Sequence, residues 1–340
     1  MAILQTAPLG VGPGMPWTTA DPFLFCVHHR DNYPAGDAAM GLAAHARAGR
    51  NMGQDFAGKD GFSMYHGDHV PGFPAHPHRG FETITIVRRG FIDHSDSLGA
   101  TARIGPGDVQ WMTAGRGIVH CEMFPLLHQD QANPVELFQI WLNLPAKSKL
   151  VAPYFTMLWA EQIPHRVITS AHGSTEVLVY AGSFADAVGA PPPPESFAAD
   201  PAAQVTVLTM TMSPSAELTL PAAAASSVNR TLYIFTGKNL QLNGQTVATN
   251  TLVALPTGPV VIQNGDQPAE LLLLGGRAIG EPVAAHGPFV MNTRHEIQQA
   301  IHDYQRTQFG GWPWPSPDPV HPRSQGRFAL HPDGRRDQPK

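Results

Sequence analysis

His76-Pro77-His78-Arg79-Gly80-Phe81-Glu82-Thr83-Ile84-Thr85-Ile86-Val87-Arg88 carries two signals at once. Thr83 to Val87 is an unbroken run of β-branched residues, which lose side-chain freedom in a helix and pack well on a pleated surface. The run is therefore a strand, ended by the turn residue Gly90. Just before it, His76 and His78 stand two residues apart, so in a strand their imidazoles leave on one face. His120-Cys121-Glu122 repeats the spacing with an imidazole and a carboxylate. Two such strands facing each other across a barrel bring three imidazoles and a carboxylate to one point. That donor set suits a divalent transition metal and leaves room for water or substrate.

Further strand-like segments follow: Val135 to Leu142, Glu176 to Tyr180, Val205 to Met212, Arg230 to Phe235 and Glu270 to Leu274. Gly, Pro, Asn and Asp separate them, the pattern of an all-β barrel or sandwich. A length of 340 residues suits two domains. Only 14% of residues are charged, against 33 Gly and 33 Pro, which favours turns and strands over long solvated helices. The net charge of -5 argues against nucleic-acid binding through a general basic surface. Cys26 and Cys121, with no Cys-x-x-Cys, point to a reducing compartment rather than a disulfide framework. Met1 to Pro16 lacks the form of a signal peptide, and no segment is long and apolar enough to span a membrane. The expectation is a soluble cytoplasmic protein without membrane attachment, nuclear residence staying open for a eukaryote.

The two halves form a degenerate repeat. Glu82 to Gly90 can be laid on Arg230 to Gly237; Ala224, Ala225 and Ser226 then stand where the first copy has His76, Pro77 and His78. Val260 to Gly265 contains no histidine. One barrel is built to hold a metal and the other only to pack. The boundary falls between about Ala160 and Gly173. This gives a metal-binding domain over 1–165, a second domain without ligands over 166–290, a helix within 291–309, and a Pro-rich tail over 310–340. Asn292 or Thr293 caps that helix, with Glu296 placed for a capping box. The tail is either mobile or an arm on the surface. Ala190 to Pro194 reads as an exposed polyproline loop.

The metal ligands are thus His76, His78, His120 and Glu122, and the donor types admit Fe, Mn, Ni, Zn or Cu. Glu82 shares the strand parity of His76 and His78, which places it beside the metal without bonding to it. There it acts as a general base or orients a histidine ring, a fifth ligand or a buried partner of Arg79 or Arg116 being the alternatives. Cys121, between two ligands, faces the other way and packs. Trp111, Met112, Phe81 and Phe138 either wall an apolar pocket or fill the barrel.

His76 to Thr83 and Pro106 to Met123 closely resemble the signature of the pirin family, in the cupin superfamily, and Gly287 to Arg294 resembles the segment opening that family's C-terminal helix. The resemblance runs from about Gly61 to about Tyr304. It implies a bicupin: two jelly-roll-like β-barrels in tandem with a short C-terminal helix, and a mononuclear metal, commonly Fe(II), in the first. The family's ligands fall on the same four residues. The implied activity is dioxygenation of quercetin, a flavonol, or of a related enolic or phenolic compound. In that scheme a small aromatic substrate binds the metal and Glu82 or Glu122 accepts its hydroxyl proton. The alternative is a metal- and redox-dependent regulator that binds a protein partner, as a transcription cofactor or a modulator of a metabolic enzyme.

Overall fold

The computed structural model describes residues 5–10, 12 and 14–340. It divides into two compact units, residues 26–161 and 281–340 forming most of one and 162–280 most of the other. Among the described residues no helix is long and apolar enough to cross a membrane.

The first unit is built on β1 (Phe23–Tyr33), β2 (Gly72–His78), β3 (Phe81–Arg89), β4 (Ile92–Asp96), β5 (Thr101–Ile104), β6 (Val109–Thr113), β7 (Ile118–Met123), β8 (Asn133–Asn143) and β9 (Tyr154–Leu158). Strands β9-β6-β3-β8-β1 make one sheet, and β5-β4-β7-β2 make most of another. The chain passes from one sheet to the other between β2 and β3, where a turn of Arg79 and Gly80 joins them. Gly80 takes φ 88°, and a Cβ there would lie 1.9 Å from the Val290 carbonyl oxygen, so only glycine fits.

Alternation along β3 and β8 sets the barrel interior. Thr83 faces Trp141, Thr85 faces Gln139 and Val87 faces Leu137 in register. Val87 and Leu137 join Ile92, Ile104, Phe155 and Met157 in one buried apolar cluster. One stretch of the interior is therefore hydrocarbon, and the rest carries the polar groups described below.

The second unit is a seven-stranded sheet and a four-stranded one. At the centre of the larger sheet lie β10 (Thr206–Met212), β11 (Val228–Thr236) and β12 (Ala269–Arg277), with β12 between the other two. Its core is aliphatic: Leu208, Met210, Leu232, Ile234, Leu271 and Leu273 are all buried in one cluster. Ala224 to Ser226, laid on the ligand strand by the repeat, form no strand and lie in the connection before β11. The halves are alike in their central strands and diverge at that element.

Helix Arg294–Thr307 has the expected capping box: Glu296 N–H donates to Thr293 Oγ1 at 3.2 Å, and Thr293 N–H to Glu296 Oε2 at 2.7 Å. It buries Ile297 and Ala300 against Phe289 and Met291. Of the two readings of the tail, the structure gives the arm. Phe328–Leu330 pairs with β5 and Arg336–Asp337 extends that pairing, so the ligand-bearing sheet has six strands.

Candidate metal centre

Strands β2 and β7 run antiparallel, with His76 directly opposite His120 and His78 opposite Ile118. The three histidines converge: ring centroids are 4.4 Å apart for His76–His120, 4.8 Å for His76–His78 and 4.9 Å for His78–His120. One ring nitrogen from each lies within 4.8 Å of the others. Near Phe73 the pairing shifts register, so an irregularity in β2 precedes the histidines.

The nitrogens are prepared for a cation. His76 Nδ1 contacts the Pro74 carbonyl oxygen at 2.8 Å. A carbonyl only accepts, so Nδ1 carries the proton and Nε2 keeps its lone pair. Neither ring nitrogen of His120 has a hydrogen-bond partner, nor does Nδ1 of His78, and all three atoms are buried. Leaving a buried polar atom unpaired costs about 1–3 kcal/mol. A bound metal removes that cost where the lone pairs point together. Burial pushes the pKa of His76 down to about 4, and drives His78 and His120 well below the usual histidine range, with neighbouring imidazoles adding to it. Neutral imidazole is the form that binds metal.

Glu122 stands beside this group, its Oε2 4.0 Å from His120 Nε2. Thr85 Oγ1 donates to Oε1 at 3.0 Å and Gln139 Nε2 to Oε2 at 2.5 Å. Burial raises the carboxyl's pKa, opposed by His94 and by these donors. The carboxylate is thus aimed by inward side chains of the opposing sheet. The residues present fit a divalent transition metal: three neutral nitrogens, from a half-buried His76 and the buried His78 and His120, and an oriented carboxylate.

Glu82 is not brought to this group. Thr85 reaches Glu122, and Phe81 packs on His78 at 5.0 Å, so positions 81, 83 and 85 face the histidines and Glu82 faces the other side of β3. There it accepts hydrogen bonds from Thr113 Oγ1 at 2.8 Å and Trp111 Nε1 at 3.3 Å. Parity counted from His78 to Glu82 fails because the Arg79–Gly80 turn changes sheets. Arg79 instead binds Asp303, at 2.9 Å. Trp111 falls on the Glu82 face, while Trp141, unremarked in the sequence, packs 5.5 Å from His78 and 4.3 Å from Phe81.

His94 and Asp96 on β4 were also missed. The His94 ring is 5.5 Å from that of His120. Its Nε2 lies 3.2 Å from Asp96 Oδ2 and its Nδ1 2.9 Å from Gln110 Nε2. Both nitrogens are engaged, so His94 braces the group rather than joining it. Its signal was available, because His94-Ser95-Asp96 repeats the period-two spacing of the ligand pairs. Cys121 faces away, buried with Val70 and Met123 under Trp312 and Val320 of the arm.

The pirin profile matches residues 39–142, and the profile of the pirin C-terminal cupin domain matches 207–310. A pirin-like protein of Caulobacter vibrioides is 38% identical over 242 residues, covering 71% of this chain and 82% of that one. The chain belongs to the pirin family. A pirin-like protein of Solanum lycopersicum is 37% identical over 238 residues, 69% of this chain and 75% of the relative. A crystal structure of quercetin 2,3-dioxygenase from Acinetobacter baumannii superposes with a TM-score of 0.70 at 27% identity, covering 91% of this chain and 99% of that one. Pirin membership and these likenesses agree with the architecture of two cupin domains, all-β apart from short helical segments and the C-terminal helix.

Proposed function

We propose that this pirin is a metal-dependent dioxygenase whose metal is Fe(II), held by His76, His78, His120 and Glu122, and whose substrate is a flavonol like quercetin or a related enol or phenol. The observation that carries the reading is the convergence of three neutral, partly unpartnered imidazoles within 4.8 Å beside an oriented carboxylate. The likeness to the Acinetobacter quercetin 2,3-dioxygenase supplies the substrate class.

When bound, the metal acidifies a coordinated hydroxyl and supplies the redox centre that oxygen chemistry requires. The chain's own residues do the remainder. Trp141, part-buried 5.5 Å from His78 and backed by the fully buried Phe81 at 4.3 Å, offers an aromatic face against which a flat ring packs. Glu122 Oε2, held by Gln139, is the carboxylate oxygen nearest His120 and accepts the hydroxyl proton. Thr85 holds the other oxygen, so the two donors together fix the carboxylate's orientation. Glu82 takes no part, since its side chain lies on the opposite face of β3.

The test is oxygen and quercetin consumption by the iron-loaded chain in air, with His78→Ala beside it. Turnover that disappears in the variant together with the iron supports the reading. An iron-replete chain that leaves quercetin and related flavonols and phenols untouched overturns it.

A further inference from the structure

The second barrel, expected only to pack, carries an open-mouthed pocket of about 410 Å³. That is within the usual size of small-molecule sites, roughly 300–1,000 Å³. Three adjoining strands set its chemistry layer by layer. Met210, Leu271 and Ile234 stand in register across β10, β12 and β11, and so do Leu208, Leu273 and Leu232. All six belong to the buried core. The period-two alternation puts the next in-register layer, Thr206, Gly275 and Arg230, on the same inner face. All three line the cavity, with Leu208, Leu273 and Phe184 forming its apolar wall.

Two members of that layer, Gly275 and Arg230, depart from packing. Gly275 ends a row of leucines with no side chain, yet its φ is not one that requires glycine. A Cβ added there would come within 3.3 Å of the Asn229 carbonyl oxygen and 3.6 Å of Arg230 Cγ. The glycine therefore keeps space open beside the arginine. Arg230 donates from Nη1 to the Pro221 carbonyl at 2.5 Å, and from Nη2 to the carbonyls of Gly258, at 2.7 Å, and Pro256. These acceptors are neutral, and among the described residues no carboxylate pairs with it, so its charge is uncompensated. Its Nε is buried without an acceptor. Arg230 is only part-buried, but its guanidinium is fixed by three carbonyls at the edge of an apolar cavity, where its charge and remaining N–H groups can meet an anion.

We propose that the second barrel binds an apolar monocarboxylate, its carboxylate on Arg230 and its hydrocarbon body along Leu208, Leu273 and Phe184. Three of the five N–H groups of Arg230 are used, so two donors and one charge remain, which suits a monoanion. The site is separate from the histidine group and stands whether or not the dioxygenase reading holds.

Calorimetric titration of the full chain with octanoate, 2-naphthoate and the neutral control 1-octanol tests it. At least one carboxylate saturates a single site, and 1-octanol binds about tenfold or more weakly, the scale of a charge-assisted hydrogen bond. Arg230→Met brings the carboxylate down to the level of the alcohol. Gly275→Val, which fills the space and keeps the guanidinium, weakens both and decides the matter should Arg230→Met fail to fold. His78→Ala leaves binding unchanged. Absence of saturable carboxylate binding, binding that survives Gly275→Val, or binding lost in His78→Ala overturns the proposal.

Discussion

Arg103 grips Asp93 with two parallel hydrogen bonds, Nε to Oδ1 and Nη2 to Oδ2, both 2.7 Å, and both side chains are fully buried. The pair also anchors the C-terminal arm. Arg103 donates to the carbonyls of His321, Pro322 and Gln325, and Asp93 Oδ2 accepts from His321 N–H. Removing one partner of a buried pair strands the other charge, at about 3–5 kcal/mol. Arg103→Ala is expected to lower unfolding free energy by that order in urea titration. Limited proteolysis should then cleave the arm before the barrels. A variant whose stability and arm protection equal those of the parent would refute the anchoring role.

The arm also shields a thiol. Cys121 is fully buried, and Trp312 and Val320 pack on its cluster. Burial pushes its pKa above the usual thiol range. A chain ending at Gly310 should expose this face and become labelled at Cys121 by a maleimide under native conditions, while the full chain resists. Cys26, buried independently of the arm's apolar contacts, provides the internal control.

The three histidines were legible because period two is a local property of a single strand. His76-Pro77-His78 and His120-Cys121-Glu122 each needed only their own spacing. Glu82 was misread because its position relative to His78 depends on a sheet change through Gly80, which no periodicity records. The arm was left open for a related reason. Phe328–Leu330 is three residues long and finds its partner over two hundred positions away at β5, so nothing local marks it as a strand. The second cavity was invisible because Thr206, Gly275 and Arg230 meet only through strand register.

Gln139 and Glu82 separate aiming from mere burial. Gln139 holds the Glu122 oxygen nearest His120, and loss of such a supporting bond typically costs about 10–100-fold in metal affinity. Gln139→Leu is expected to weaken iron binding by that factor in competition with a chelating dye. Glu82→Gln should leave metal affinity at the parent value and act only on stability, since its carboxylate bonds Thr113 and Trp111. An affinity loss in Glu82→Gln as large as that in Gln139→Leu would show that the opposite-face assignment is wrong.

Acid should destabilise the metal-free chain through the same histidines. Burial lowers His29 to about 3 and His76 to about 4, and sends His78 and His120 well below their usual value. In the unfolded chain each titrates near 6.5. Below that pH the unfolded state takes up protons that the folded state refuses, so stability falls as pH falls. Each such histidine contributes a slope of about 1.4 kcal/mol per pH unit once its unfolded form is protonated, until its folded pKa is reached. Asp31 works in the opposite sense: burial raises its pKa from 3.8 to about 6, so its contribution is present at low pH and lost as pH rises through that interval. Glu122, also raised by burial, adds to this opposition. His321 is lowered by burial as well, and Asp108 raised, so five lowered histidines oppose three raised carboxyls; urea midpoints should drop between pH 6.5 and 4, with His78→Ala flattening the drop. A midpoint constant over that interval would mean that the imidazoles are protonated in the folded barrel, contrary to the unpartnered, neutral arrangement that makes the group fit a metal.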